Sequence, residues 1–210
     1  MLCVSISSLP LPRVRELVAN ADMAEIRLDL LRPAKDELPA LFSTYGKKII
    51  ATCRAGEYDD EARAGMLKAA IDAGCGYVDL EIDASCAFLD TLIPYARAKG
   101  CKVMLSYHNF ENTPETEALE LVIIEALACG ADVVKMATMV HTPHDAARLL
   151  ALYARHTGIV AFGMGEKGKF TRVVALKLGA PFTYVFPDAA PATAPGQYSE
   201  SEMRELWQRL

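Results

Sequence analysis

The sequence has no C-x-x-C pair, no basic tract and no apolar run near the ~18 residues that a membrane span requires. Each absence removes a class of function. Without paired spacings, the six cysteines (Cys3, Cys53, Cys75, Cys86, Cys101 and Cys129) suggest neither a disulfide framework nor a zinc site. They read as reduced core thiols of a cytoplasmic protein, and Cys53, although it adjoins a candidate site arginine, reads as structural. A net charge of -5 with no run of lysine or arginine speaks against nucleic acid or an anionic membrane as partner. The first residues, Met1 to Ser7, are too short and too polar for a signal peptide. The histidines show no metal-ligand spacing, and His141, His144 and His156 lie near helix ends and read as surface residues. No linker, low-complexity tract or composition shift divides the chain, so 1–210 reads as a single domain.

What the sequence does contain is alternation. Short apolar runs at 2–7, 23–28, 48–52, 76–81, 101–107, 132–136, 158–162 and 181–185 have strand character. Runs of helical period at 10–20, 36–44, 59–73, 85–99, 113–129, 142–156, 170–178 and 199–210 separate them. Gly74, Gly100, Gly130 and Gly179 stop four of the helices. Pro94 predicts a kink in the helix it interrupts. Thr113-Pro114 and Ser199 with Glu202 look like capped starts. Eight strand–helix pairs imply parallel strands with crossover helices, and so an α/β fold. That number favours a closed (β/α)8 TIM barrel over an open sheet. The chain is shorter than the ~250 residues usual for that barrel, so its loops must be short. One long irregular segment, the Ala- and Pro-rich stretch 186–198, lies between the last strand and the last helix, where a mobile lid would sit.

Barrel chemistry sits at the C-terminal ends of the strands, and residues i and i+2 of a strand share a face. The second strand offers Glu25 and Arg27, the third Thr52 and Arg54, the fourth Asp79 and Glu81, the fifth Ser106 and His108, the sixth Val133 and Lys135. Five consecutive strands that turn polar at the same end describe a charged pocket, not a row of solvated caps. Lys135 is its centre: an amine in the apolar run Val133-Val134-Lys135-Met136-Ala137. Arginine neighbours and an apolar strand favour the neutral amine, the form that attacks a carbonyl. His108, on the neighbouring strand, can move protons, and the arginines can hold a carboxylate in bidentate fashion. The residues point to imine chemistry on a small, carboxylated, hydroxylated ketone. The run Gly163 to Arg172 follows the seventh strand; it could cradle a phosphate, or Arg172 could present its guanidinium to a carboxylate.

These pieces, in this order, resemble type I 3-dehydroquinate dehydratase of the shikimate pathway. The resemblance spans nearly the whole chain. It rests on E-I-R-L-D at 25–29, A-T-C-R at 51–54, D-L-E at 79–81, S-Y-H-N-F at 106–110, V-V-K-M-A at 133–137, the M-G-x-x-G run beginning at Met164, and A-P-G-Q at 194–197. It implies a lyase in aromatic amino acid biosynthesis that needs no cofactor and no metal. Lys135 would form a Schiff base with 3-dehydroquinate. His108 would act as general base and then acid in a syn elimination to 3-dehydroshikimate. Arg172 would bind the substrate carboxylate, with Gln197 and Thr193 beside it, and Glu25, Arg27 and Arg54 would hold ring hydroxyls. Asp79, Glu81, Ser106 and Met164 would support them.

The chain also departs from the pattern. Threonines stand at 171 and 193, where relatives commonly carry serine. Glu57, the nearest candidate for a carboxylate supporting His108, is one residue short in spacing. The first strand is expected to begin at Leu2, which leads to the expectation that the hairpin that often plugs the barrel bottom is absent. The family also implies a homodimer, and it occurs fused to shikimate dehydrogenase in longer chains. Two rivals predict other outcomes: a class I aldolase acting on a sugar or sugar phosphate, and a barrel that binds an anion without catalysis.

Overall fold

Alternating side chains in eight short runs produce eight parallel strands with helices between them. The computed structural model describes residues 1–209, the Lys35 side chain excepted; the last residue of the helix expected over 199–210 lies outside that range. In chain order the elements are β1 Leu2–Ile6, α1 Leu11–Asn20, β2 Met23–Arg27, α2 Leu28–Leu31, α3 Leu38–Phe42, β3 Ile49–Thr52, α4 Asp60–Asp72, β4 Tyr77–Glu81, α5 Cys86–Ala98, β5 Lys102–Asn109, α6 Thr116–Ala128, β6 Val133–Met139, α7 Pro143–Ala151, β7 Ile159–Met164, α8 Thr171–Lys177, β8 Thr183–Phe186, β9 Tyr198–Ser199 and α9 Glu200–Arg209. All eight expected strand–helix pairs are present. The single-turn α2 and the two-residue β9 are additions too short for periodicity to reveal.

The strands form one curled parallel sheet in the order β7-β6-β5-β4-β3-β2-β1-β8-β9. Among the described residues no ladder joins β7 to β8. Instead, the rings of Phe162 and Tyr184 face each other across that seam at 6.0 Å. The segment before β9 bridges it, where Gly165 N–H donates to the Pro195 carbonyl at 3.3 Å.

The period of two sorts each strand into an outer and an inner face. Val103 and Leu105 of β5, and Val134 and Met136 of β6, pack outward against the helices. Met104, Val133, Val160, Ile50, Met23, Cys3 and Phe182 point inward and fill the barrel floor. Lys135 shares its face with Val133 and Ala137, so the strand delivers its amine into the interior above that floor. Register fixes the height: Ser106 lies opposite Lys135, and Lys135 opposite Val160.

Helix ends follow local chemistry, with one exception. Ser199 and Glu202 cap each other at 3.3 and 2.8 Å, as the spacing predicts. Thr142 and Asp145 form a second capping box. Thr113 caps nothing: α6 begins at Thr116, and the Thr113 hydroxyl bonds Thr138 and the Met139 carbonyl, each at 2.8 Å. α5 runs through Pro94 without interruption. Among the described residues, no helix is long and apolar enough to cross a membrane, and no group of His, Cys, Asp and Glu could hold a metal ion.

Candidate active site

Inward residues at the C-terminal strand ends line a cavity of about 630 Å³. Lys135 lies at its base, 5% exposed. Its Nζ sits 3.1 Å from Asp79 Oδ2, 3.8 Å from Glu25 Oε1 and 4.3 Å from the centre of the Tyr184 ring. The sequence pattern placed arginines and carboxylates in one pocket with the lysine; in the structure two of those carboxylates, Asp79 and Glu25, are in direct reach of it.

Asp79 is the hub. Its Oδ2 accepts from Arg54 Nη2 at 2.6 Å as well as from Lys135, and its Oδ1 accepts from Ser106 at 2.6 Å. Burial alone would raise its pKa, but the charges of Arg54 and Lys135 outweigh that and hold the carboxyl well below the usual range. Arg54 also donates to Ser106 at 2.7 Å and lies 3.8 Å from Glu81. Glu25 accepts from Thr52 at 2.9 Å and from Ser5. Arg27 makes a two-pronged contact with Asp29, at 3.0 and 2.6 Å.

His108 stands two residues above Ser106 on β5 and lines the same cavity. Burial first, then the charges of Arg54 and Lys135, push its pKa down to about 2, against the pull of Asp79. The imidazole is therefore neutral at pH 7, the form a general base starts from, and in the free enzyme it resists protonation. Phe110 stacks near it, ring centres 6.2 Å apart.

Opposite stands Arg172, in the first turn of α8 and only 1% exposed. Its Nε donates to the Gly196 carbonyl at 3.0 Å, the guanidinium lies 4.0 Å from the Phe162 ring centre, and Nη2 has no protein partner. Burial pushes its pKa down to about 9. A buried guanidinium with a free edge over a cavity is poised for an anion from outside the chain. Met164 of β7 completes this wall. Residues of the expected lid line the cavity: Gln197 Oε1 accepts from Thr193 N at 2.9 Å and from its hydroxyl at 3.0 Å, and that hydroxyl is 3.1 Å from Ser5 Oγ.

Residues 3–210 match the sequence model of the type I 3-dehydroquinase family. The chain belongs to that family. It is 32% identical to 3-dehydroquinate dehydratase of Methanocaldococcus jannaschii over 197 residues, 90% of this chain and 88% of that protein. The fold matches the type I 3-dehydroquinate dehydratase of Clostridium difficile, a structure that carries covalently modified comenic acid. That match has a TM-score of 0.86 and 23% identity, over 99% of this chain and 91% of the other. A structure of dehydroquinate dehydratase and shikimate dehydrogenase from S. pombe matches 98% of this chain with 43% of its own, TM-score 0.81 and 19% identity.

As a type I 3-dehydroquinase, the chain departs from its sequence-based reading in two places. Glu57 is not among the residues lining the cavity that His108 lines: its side chain is 73% exposed and paired with Arg32. It sits in the irregular turn between β3 and α4, where strand period says nothing about direction. Among the described residues no other side chain hydrogen-bonds the His108 ring. His156, read as a surface residue, is half-buried with Nε2 enclosed and unpartnered; His141 and His144 are exposed.

Three lining or supporting residues went unread. Ser5 is the inward i+2 partner of Cys3, so the strand rule applied to the first strand would have found it. Tyr184 follows in the same way from Phe182. Arg63 lies on α4 with Leu67, Ala70 and Ile71, and the only signal was an arginine on a buried helical stripe.

Proposed function

We propose that this chain is a hydro-lyase that dehydrates 3-dehydroquinate to 3-dehydroshikimate through an imine on Lys135. Family membership and the named relative support the reaction. The observation that carries the residue roles is the shared cavity: a lysine amine at the base, a neutral histidine on the adjacent strand, and an unpaired buried guanidinium across from both.

The chemistry follows from those three groups. Lys135 Nζ attacks the ketone, a C–N bond forms, and water leaves to give the protonated imine. Asp79 and Glu25 stabilise that cation where it forms. The imine withdraws electrons from the adjacent carbon, and His108 takes a proton there to give the enamine. The electron pair returns and breaks the C–O bond one carbon further on. The imidazolium hands its proton to the departing oxygen, and water leaves. Hydrolysis of the imine frees Lys135, for a net loss of one water. Arg172 holds the carboxylate on the carbon that loses the hydroxyl, so the anchor and the reacting bond share an atom. Glu25, Arg27 and Arg54 meet ring hydroxyls, with Thr193 and Gln197 closing from above.

A homodimer and a cytoplasmic setting belong to the same proposal. The free cysteines, four of them buried, suit a reducing compartment. The test is to incubate the enzyme with 3-dehydroquinate and follow the ultraviolet band of the conjugated enone, with borohydride trapping to locate the adduct. Enone formation with the adduct on Lys135 is expected. No enone at high enzyme concentration would sink the reaction, and an adduct on another lysine would sink the assignment of Lys135.

A further inference from the structure

The side chains beneath the cavity form a run of alternating charge: Arg63, Glu81, Arg54, Asp79, Lys135, Glu25. Five contacts link them. Arg63 Nη2 donates to Glu81 Oε2, and Arg54 Nη1 lies 3.8 Å from Glu81 Oε1. Arg54 reaches Asp79 at 2.6 Å, Lys135 reaches the same oxygen at 3.1 Å, and Glu25 closes the run 3.8 Å from Lys135. Arg63 is the one member that comes from a helix. It is 2% exposed, it donates to the Cys53 carbonyl at 3.1 Å and to Asp60 at 2.9 Å, and its guanidinium lies 4.5 Å from the Phe88 ring centre.

Arg54 stands between two carboxylates and is bonded to only one. Asp79 holds it at 2.6 Å, while Glu81 stays at 3.8 Å. The reason lies on the far side of Glu81. Arg63 occupies one oxygen, and the Ala55 N–H donates to the other at 3.0 Å. Each Glu81 oxygen therefore has a donor, and its charge a counter-ion, without Arg54. Without Arg63, a largely buried carboxylate with an empty oxygen would draw Arg54 away from Asp79 and Ser106. Asp79 would then face Lys135 alone and pair with its ammonium more tightly, and a tightly paired ammonium does not attack a ketone.

We infer that Arg63 is a positioning residue for imine formation: by neutralising Glu81 it leaves Arg54 on Asp79, and so keeps Asp79 from monopolising Lys135. The inference rests on the imine chemistry proposed above. Arg63 reaches the edge of the cavity, and its proposed effect on Lys135 runs through Glu81 and Arg54.

The test measures single-turnover formation of the borohydride-trappable Lys135 adduct against pH, in the parent and in R63Q, R63K and R63Q/E81Q, with each fold checked by circular dichroism. Adduct formation in the parent tests the function itself, so the two failures are distinguishable. R63Q is expected to slow adduct formation at neutral pH about tenfold and to move its pH dependence about one unit upward, since one pH unit corresponds to tenfold in the neutral amine. R63Q/E81Q removes the competing carboxylate and is expected to recover to within about threefold of the parent, a coupling of the size neighbouring charges show. R63K keeps one cation but cannot serve Glu81, Cys53 and Asp60 together. It stands in if R63Q does not fold, and a smaller shift in the same direction is expected. A folded R63Q, or in its place R63K, with the parent's rate and pH profile overturns the inference. So does a slowed R63Q that E81Q fails to relieve, because the loss would then be mere damage to α4.

Discussion

The protonation of His108 sets a stability test whose size can be worked out. In the folded protein its pKa is pushed from 6.5 to about 2, by burial first and then by Arg54 and Lys135. In the unfolded chain it keeps its ordinary value. Below pH 6.5 the unfolded state therefore binds a proton that the folded state refuses. Stability from this group is complete above that pH and is lost progressively as pH falls toward the folded value. Each pH unit well below 6.5 costs about 1.4 kcal/mol, so going from about pH 7.5 to about pH 4.5 costs about 2.7 kcal/mol. Only a folded pKa well below the end of that interval is required. Asp79 also has a depressed pKa, but its contribution is lost only below the ordinary carboxylate range. His108→Gln removes the titrating ring, while His141, His144 and His156 remain in both proteins and cancel. Urea unfolding near neutral pH and near pH ~4.5 measures the difference. The parent is expected to lose about 2.7 kcal/mol more than the variant over the interval. Equal losses would show that the folded imidazole protonates normally, and would refute its role as a base kept neutral by its surroundings.

Two further outcomes follow from the opposite wall. Arg172→Met replaces a buried, partly unbonded guanidinium with an apolar chain, so the free enzyme should gain about 1–3 kcal/mol in thermal or urea unfolding. Its KM should rise about a hundredfold, from the loss of charge-assisted bonds to a carboxylate; a KM that stayed put would place the carboxylate elsewhere. Gly196 has φ +70°, and a Cβ there would meet the Gly165 carbonyl oxygen at 2.4 Å. Gly196→Ala should keep the lid from docking and lower kcat/KM about tenfold with little change in global unfolding, a loss typical of a mispositioned closing segment. Parent-like kcat/KM would show that this close approach is not needed.

Much of the site was legible because a strand has a rigid period of two. Once the strand ends were located, Glu25, Arg27, Arg54, Asp79, Glu81, Ser106, His108 and Lys135 had to share the interior. The same rule passed over Ser5, since a lone hydroxyl in an apolar strand carries no charge to draw notice. It could not reach Arg63, which arrives from behind the sheet on a helix. It says nothing of Glu57, whose turn has no period at all; there the resemblance offered a supporting carboxylate one residue short in spacing, and the chain pairs it with Arg32. Thr113 shows tertiary structure overriding a local signal: its hydroxyl is more firmly used by Thr138 and Met139 than it would be as a cap. Partnerships are three-dimensional facts. Which carboxylate Arg54 chooses depends on whether a helix behind it brings a second cation.

The unladdered joint between β7 and β8 has a mechanical consequence. In the proposed function the segment before β9 lifts to admit substrate. Lifting it breaks the Gly165–Pro195 and Arg172–Gly196 hydrogen bonds and the short β8–β9 pairing. Each such bond is worth only about 0.5–1.5 kcal/mol net. The ladder between β5 and β6, six residue pairs that hold His108 and Lys135 in register, is untouched. The joint works as an expansion gap in a rigid ring: the molecule gives way on the side of the carboxylate anchor Arg172, while Lys135 and His108, held in one ladder, need not be realigned at each turnover.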